Sequence, residues 1–190
     1  MADVNDALQW AARGFRVFPI LPGDKVPPKG MHFKEEATTD AAKIRAWWRA
    51  VPNYNYAVLC GAGWLLVDVD TRKGGMDSLF DLAFTLPATL TVRTPGGGLH
   101  LYLRGPDVRQ SVDRLGPGLD IRSAGGFVVG PGSFFADPGA KKGYTGPYTI
   151  DADLPIADAP EALILACGLP RERDTAAPVS VDASTDIIFA

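Results

Sequence analysis

Short apolar runs separated by turn-forming residues dominate the middle of the chain. They are rich in Leu, Val, Ile, Phe and Tyr and are bounded by Gly, Pro, Asn or Asp, a pattern typical of strands. Several of these runs are joined by links too short for a parallel crossover, so the pattern predicts a largely antiparallel sheet. The predicted strands span residues 15–21, 56–61, 64–70, 90–95, 99–105 and 119–130.

Helical periodicity flanks and interrupts these strands. The first helical segment places Leu8, Ala11 and Ala12 on one face and ends at Gly14, a residue type common just after a helix. Together with the strands, the helices predict an α+β fold with a mixed, largely antiparallel sheet or sheets and flanking helices. The predicted helices span residues 4–14, 38–51, 76–86 and 159–168, the last with Pro160 in its first turn.

The second helix carries paired tryptophans. Thr39 and Asp40 are candidate N-caps, and Ile44, Trp47 and Trp48 follow at the spacing of a buried face. We interpret the tryptophans as core residues, the alternative being a platform on which nucleic-acid bases stack.

Composition places this fold in a soluble globular protein. The 190 residues are 46% hydrophobic and 22% charged, enough for one domain with a substantial core. No apolar run is long enough to span a bilayer, and the N-terminus lacks a signal-peptide pattern, so we expect a cytoplasmic protein. Cys60 and Cys167 lie far apart in apolar contexts and are predicted to be core thiols.

Charge divides the chain unevenly. Residues 1–150 carry 17 Lys and Arg against 14 Asp and Glu, a surplus of +3, whereas residues 151–190 carry 2 against 8, or −6. The surplus is compatible with a polyanionic partner but does not identify one. Residues 169–190 are acidic and rich in small residues and Pro, so we expect a domain over 1–168 followed by a linker.

The apolar run "WLLVDVD" ends in two acids at alternate positions. In a strand Asp68 and Asp70 project from the same face, about 7 Å apart. Their mutual repulsion would raise one pKa or be relieved by a hard divalent cation. The alternative is a solvated strand end that begins the turn in "TRKGG".

Two later segments carry further polar side chains at strand spacing. In "RTPGGGLHLYLRG" three glycines allow a close backbone approach to a ligand, and His100 and Tyr102 then share one face of a strand. In "LDIRSAGGFVVG", Asp120 and Arg122 share a face and could simply pair with each other. Asp120 also supplies the third carboxylate that a two-metal site of oxygen ligands would require.

The order of these segments resembles the archaeo-eukaryotic primase superfamily, and most closely the bifunctional primase-polymerase (prim-pol) domains of phage and plasmid replication proteins. "VDVD" is similar to the DxD motif of that family, "GGLHLYL" to its sxH motif and "GLDIRSAGGFVVGPGS" to its third motif. "GFRVFPILPGDKVPP", "ATTDAAKIRAWW" and "PNYNYAVLCG" also follow the family order. The resemblance covers roughly residues 7–150 and implies an RRM-like catalytic core.

The resemblance also implies roles for individual residues. Asp68, Asp70 and Asp120 would bind two Mg²⁺ or Mn²⁺ ions, and His100 would be catalytic with them, contacting the incoming triphosphate. The residues implied in nucleotide binding are Lys25, Asn55, Gly97, Gly98, His100, Arg122 and Ser133.

The reaction implied is template-directed nucleotidyl transfer from NTPs or dNTPs on primed single-stranded DNA, with pyrophosphate as the leaving group. Relatives are commonly joined to a helicase, so a helicase domain in the same or an associated chain is an expected partner, in a bacterial host cytoplasm. Gly130-Pro131-Gly132-Ser133 replaces the Pro-Pro-Ser common in the family, and no cysteine-rich zinc insertion is present. The alternatives are a metal-dependent nuclease or phosphoesterase, and a catalytically silent nucleic-acid-binding module.

Overall fold

The computed structural model describes residues 2–137, 139 and 141–169. Within these residues the chain forms five α-helices and eleven strands, which confirms the predicted α+β fold. The helices are α1 (Val4–Ala12), α2 (Phe33–Glu36), α3 (Ala41–Ala50), α4 (Gly75–Phe80) and α5 (Glu161–Cys167). The strands are β1 (Val17–Ile20), β2 (Asn55–Leu59), β3 (Trp64–Val69), β4 (Thr91–Arg93), β5 (Leu99–Arg104), β6 (Leu119–Arg122), β7 (Phe127–Val129), β8 (Phe134–Phe135), β9 (Gly146–Pro147), β10 (Thr149–Ala152) and β11 (Ala157–Asp158).

Two sheets form the body of the fold. The smaller has the order β1-β2-β7, and the larger, which we call the central sheet, has the order β10-β4-β5-β3-β6 with β11 beside the end of β5. Named strands pair antiparallel except for β11 with β5. The sheets are therefore largely antiparallel, as the short links between strands predicted.

Alternation along β3 divides the core in two. Leu65, Val67 and Val69 point into an apolar cluster that includes α5 and the inner face of α4, whereas Leu66 belongs to the cluster shared with the smaller sheet. Successive strand side chains point to opposite faces. Asp68 is therefore on the same face as Leu66, toward the smaller sheet.

Helices α1 and α3 pack on the smaller sheet and on each other. The α1 N-terminus is held by a capping box in which Asp3 and Asp6 bond each other's backbone amides, and Asp40 caps α3 through Ala42 N. Trp48 is buried and Trp47 packs half-buried against the core, which confirms the core interpretation of both tryptophans.

The buried face of α1 matches the prediction in part, since Ala11 is buried and Leu8 packs partly buried against the core. Ala7, Trp10 and Ala11 are buried, and Ala12 is exposed. The helix does end where expected, since Arg13 is the C-cap and Gly14 follows with φ +92°. Because Trp10 is the largest apolar side chain of the helix, its contacts with Phe15 and Tyr102 orient that face.

Residues 119–130 form two strands rather than the single strand predicted. β6 pairs with β3 in the central sheet, and β7 pairs with β2 in the smaller one. Between them Gly126 N donates to the Ser123 carbonyl and Gly125 has φ +81°, so the chain turns sharply from one sheet to the other.

The helix predicted over residues 76–86 ends at Phe80. Beyond it Leu82, Phe84 and Leu86 pack on the central sheet while their neighbours Asp81, Ala83 and Thr85 are exposed. That period of two is extended chain, not helix. The short helix α2 and strands β8 to β11 were not predicted.

Three other expectations concern the cysteines, membrane-spanning segments and the C-terminal linker. Cys60 and Cys167 are both free and buried, as predicted for core thiols. None of the described helices has the length and apolarity needed to cross a membrane. The predicted linker falls on residues 169–190, of which 170–190 lie outside the described residues.

Candidate active site

Asp68 lies near the end of β3, between two neighbouring strands of the central sheet. The strand register places His100 of β5 directly opposite on one side and Asp120 of β6 directly opposite on the other. Directly opposed Cβ atoms in antiparallel strands are about 4.5–5.5 Å apart. Three titratable side chains therefore form a row across the sheet.

This row lines a cavity of about 580 Å³ whose far side is formed by β7 and the loops beside it. Polar groups from six separate stretches of sequence meet there, so the fold gathers residues that are far apart in the chain. Of the predicted site residues, those lining the cavity are Lys25, Asp68, Asp70, His100, Asp120 and Arg122.

Asp120 is held by an ion pair within its own strand. Arg122 Nη2 donates to Asp120 Oδ2 at 2.7 Å, and the amide of Asp113 donates to Oδ1 at 3.2 Å. Burial raises the pKa of Asp120, against the opposing effect of the Arg122 charge and of the Asp113 amide. The pairing anticipated from the Asp-x-Arg spacing is thus present, and it leaves the carboxylate inside the cavity wall.

His100 is 5% exposed, and its Nε2 lies 3.7 Å from Asp68 Oδ1. Burial lowers the pKa of His100, outweighing the attraction of the Asp68 carboxylate, so the imidazole is neutral at neutral pH. Its Nδ1 is buried without a hydrogen-bond partner among the described residues. A neutral imidazole has one donor and one acceptor nitrogen, which suits contact with an uncharged or an anionic oxygen.

Asp70 ends the row of acids and begins a turn. Its side chain caps the short 3₁₀ helix Thr71–Lys73 by accepting from the Arg72 amide at 3.1 Å, and Arg72 Nε lies 3.6 Å from the same oxygen. Asp70 therefore starts the turn, as the alternative interpretation of "DVD" expected, and it also lines the cavity with Asp68.

The donor chemistry of the three acids fits a hard divalent cation, but their side chains do not form a ready-made metal cage. Among the described residues, no three His, Cys, Asp or Glu side chains are grouped closely enough to hold a metal ion. Asp70 and Asp120 instead engage Arg72 and Arg122. Carboxylate oxygens are the ligands that Mg²⁺ and Mn²⁺ prefer. Asp70 and Asp120 would have to turn from their arginine partners to bind such an ion.

The glycine turn before β5 is closed on itself. The amide of Gly97 donates to the Thr94 carbonyl and that of Gly98 to Thr94 Oγ1, so neither amide is free for a phosphate. Gly98 also lies where a Cβ would come within 2.4 Å of the Val69 carbonyl oxygen. The turn therefore fixes the end of β3 beside the acids, and it is Thr94 and Gly96 that line the cavity.

Asn55 and Ser133 are fully buried and do not line the cavity. The Asn55 side chain bonds the amide and the carbonyl of Phe134, and Ser133 Oγ bonds the backbone of Tyr56. Both side chains join β2 to the segment that follows β7. This is a structural role, and we omit these two residues from the proposed nucleotide site.

The cavity also contains side chains that sequence reasoning did not select. Arg72 and Lys73 follow Asp70 directly, so their position beside a candidate metal ligand was the available signal. Lys142, Tyr144 and Tyr148 arrive from a loop whose sequence matches no motif. The additional polar and aromatic lining residues are Phe33, Arg72, Lys73, Gln110, Phe127, Lys142, Tyr144 and Tyr148.

Comparison with known proteins identifies one family. A family model described as "Bifunctional DNA primase/polymerase, N-terminal" matches residues 7–162, which is 156 of the 190 residues. No curated protein matches the chain. The matched range contains β1 to β11 and every residue that lines the cavity.

Proposed function

The chain belongs to the family of bifunctional DNA primase/polymerase N-terminal domains, and we propose that it catalyses template-directed nucleotidyl transfer from NTPs or dNTPs on single-stranded DNA. Family membership supports the broader function of a DNA primase/polymerase in DNA replication. The observation that carries the specific reaction is the row His100, Asp68 and Asp120 on the wall of a cavity that also contains cationic side chains.

Metal ions supply charge neutralisation in this proposal. Members of the family generally use divalent metals. Asp68, Asp70 and Asp120 would hold one or two Mg²⁺ or Mn²⁺ ions, and bound metal would lower the pKa of a primer 3′-hydroxyl and neutralise charge on the α-phosphoryl group. Support comes from the all-oxygen donor set and from the direct opposition of Asp68 and Asp120.

Cationic side chains around the acids would bind the triphosphate. Lys25, Arg72, Lys73, Arg122 and Lys142 line the same cavity, and a nucleotide brings several negative charges. Guanidinium groups bind paired phosphate oxygens well because their donors form a fixed fork. Arg122, which already bonds Asp120, would offer its remaining N–H donors to phosphate oxygens.

His100 would donate to a phosphate oxygen through its single N–H. Its burial keeps the ring neutral, so it would select the triphosphate by hydrogen bonding rather than by charge. Because His100 lies directly opposite Asp68, it could contact the same triphosphate that a metal held by Asp68 would contact.

The test is primer extension on a single-stranded template with dNTPs and Mg²⁺ or Mn²⁺, beside the same mixture without nucleotide. We expect lengthening that disappears in Asp68→Ala/Asp70→Ala and persists in Asp81→Ala, which removes an exposed carboxylate at the end of α4. Lengthening retained by the double variant would refute the assigned site.

The same gel separates the alternatives. A nuclease or phosphoesterase would shorten DNA without nucleotide and would lose that activity in the double variant. A silent binding module would leave the DNA length unchanged under either metal. Its wild-type protein and double variant would bind single-stranded DNA equally well.

The biological setting remains a proposal taken from the family resemblance. We propose a role in phage or plasmid replication, in the cytoplasm of a bacterial host, with a helicase domain in the same or an associated chain. Residues 169–190 would link the two. Co-purification of a helicase with the protein from its host would support this setting. Replication complexes that lack the protein would oppose it.

A further inference from the structure

We propose that Tyr144 is a positioning residue that holds Lys25 and Arg72 together as one polyphosphate-binding unit. This inference rests on the proposed function, because it concerns how the same cavity binds a triphosphate. Tyr144 touches both cations: one through its hydroxyl group and the other through its ring face.

The first contact fixes Lys25. Lys25 Nζ donates to the Tyr144 hydroxyl oxygen at 2.9 Å, and the ammonium lies 4.4 Å from the Phe135 ring centroid and 5.9 Å from that of Tyr148. Ammonium groups are attracted to aromatic faces at these distances. Once the hydroxyl accepts from Lys25, its own hydrogen is free to donate to a ligand oxygen.

The second contact fixes Arg72. The guanidinium carbon lies 4.4 Å from the Tyr144 ring centroid, and Nη1 donates to the Lys142 carbonyl at 2.8 Å. Arg72 is also close to the Asp70 carboxylate. A side chain that is 43% exposed is thereby held in one orientation at the cavity edge instead of sampling many.

The position of Tyr144 is itself determined by the fold. Both carboxylate oxygens of Asp137 accept from the backbone amides of Lys142 and Gly143, which fixes the segment immediately before Tyr144. The ring packs against Phe135, with centroids 5.4 Å apart, and a Cβ on Gly96 would touch it at 3.4 Å. Tyr144 is therefore a fixed point between a lysine from the β1 side and an arginine from the end of β3.

The arrangement favours a linear polyphosphate over a single phosphate. Lys25 lies at the hydroxyl end of the Tyr144 side chain and Arg72 over its ring, so a ligand that meets both charges has to span these two positions. A triphosphate, or the pyrophosphate released from it, has that length and charge. A positioned pair of cations loses less side-chain entropy on binding than two free ones.

The experiment measures binding of inorganic tripolyphosphate by calorimetry, with and without Mg²⁺, so that it needs neither DNA nor catalysis. Tyr144→Phe keeps the ring under Arg72 and removes the bond to Lys25. We expect its affinity for tripolyphosphate to fall about three- to tenfold. In the background of Lys25→Ala the same change should have no effect, because its partner is gone.

A second cycle tests the ring. Tyr144→Leu should weaken binding more than Tyr144→Phe, and its additional loss should disappear in the background of Lys25→Ala/Arg72→Ala, because both cations lie close to the ring. Tyr54→Phe is the matched control, since Tyr54 packs on Trp48 outside the cavity. This variant should bind tripolyphosphate as the wild-type protein does. Thermal unfolding of each variant shows that it is folded.

Equal losses for Tyr144→Phe with and without Lys25 would overturn the proposal, as would wild-type protein that binds no tripolyphosphate. In primer extension, Tyr144→Phe should raise KM for the nucleotide and leave kcat unchanged, a split that general destabilisation would not produce. If the coupling is found but no primer is extended, the proposed function fails and the positioning role stands. If primers are extended without the coupling, only the positioning role fails.

Discussion

Strands β3, β5 and β6 present two faces that differ in chemistry. Successive side chains of each strand point to opposite faces, so both faces are built from the same short segments. Toward α4 and α5 they contribute only apolar side chains, among them Val67, Leu103 and Ile121, all fully buried. Toward the smaller sheet the same strands place Asp68, His100 and Asp120. One face gains stability by excluding water, whereas the other brings together polar groups that are incompletely paired.

The difference indicates a division of labour within three strands. Substitutions on the apolar face should change stability and leave chemistry intact, whereas substitutions of Asp68 or Asp120 on the other face should change chemistry and leave stability nearly intact. Side chains one position apart in sequence, such as Asp120 and Ile121, belong to opposite classes.

The largest effect is expected at Asp68. Asp68→Asn should lower nucleotide incorporation at least about a thousandfold, equivalent to about 4 kcal/mol of transition-state stabilisation. Unfolding in urea with EDTA present should show equal or slightly higher stability, because one of two facing carboxylates has lost its charge. Lower stability with normal incorporation would mean that Asp68 is structural and the two faces do not differ as described.

The opposite result is expected for Ile121→Ala on the apolar face. Ile121 is fully buried, and its truncation should lower the free energy of unfolding by about 2–5 kcal/mol. Incorporation per folded molecule should stay within about twofold of wild type at a temperature where the variant is folded. Urea titration and active-site titration measure the two quantities separately, and a rise in KM for nucleotide would break the comparison.

The polar face should also give the protein a pH-dependent stability. Because burial lowers the pKa of His100, the unfolded chain takes up a proton that the folded protein resists. The stability from His100 is present above the ordinary imidazole pKa of about 6.5 and is lost as pH falls through the lower folded value.

Between pH 7.5 and pH 5, wild-type protein should therefore lose more stability than His100→Gln in urea unfolding. His32→Gln, which replaces an exposed histidine at the start of α2, is the matched control. Identical pH profiles for wild type and His100→Gln would show that His100 does not resist protonation.

The smallest effect is expected for an ion pair outside both faces. Arg93 Nη2 bonds Asp151 at 2.6 Å where β4 meets β10, with the side chains 49% and 33% exposed. Solvent screens such pairs, so Asp151→Asn should change the free energy of unfolding by less than about 1 kcal/mol and leave primer extension unaffected. A larger loss of activity would place this edge within the functional surface.

Alternation made much of this arrangement predictable from sequence. A period of two placed Asp68 and Asp70 on one face of "WLLVDVD" and His100 opposite the leucines of "LHLYLRG", and in the structure these three side chains line one cavity. Short links predicted antiparallel pairing. What alternation cannot give is the strand order, so nothing local indicated that Asp68 would stand between His100 and Asp120.

For several predicted site residues the structure shows contacts that the sequence did not indicate. Asn55 and Ser133 are polar in sequence, and only the tertiary structure shows that their partners are the backbone of Phe134 and Tyr56. Three glycines before β5 suggested free amides, but Thr94 occupies two of them. Tyr144 lies at the cavity because of long-range packing, and residue spacing along the chain does not predict such a contact.

The turn between β6 and β7 has a consequence for the order of folding. The two strands are adjacent in sequence, yet each pairs with a strand far earlier in the chain, β6 with β3 and β7 with β2. Pairings at such separation close long loops and form later than local hairpins. A chain emerging from the ribosome can form hairpins from β3 onward, but it cannot complete the cavity until residue 148 has been released. We therefore expect catalytic competence to appear in a late and cooperative step of folding, well after most of the helical and strand structure is in place.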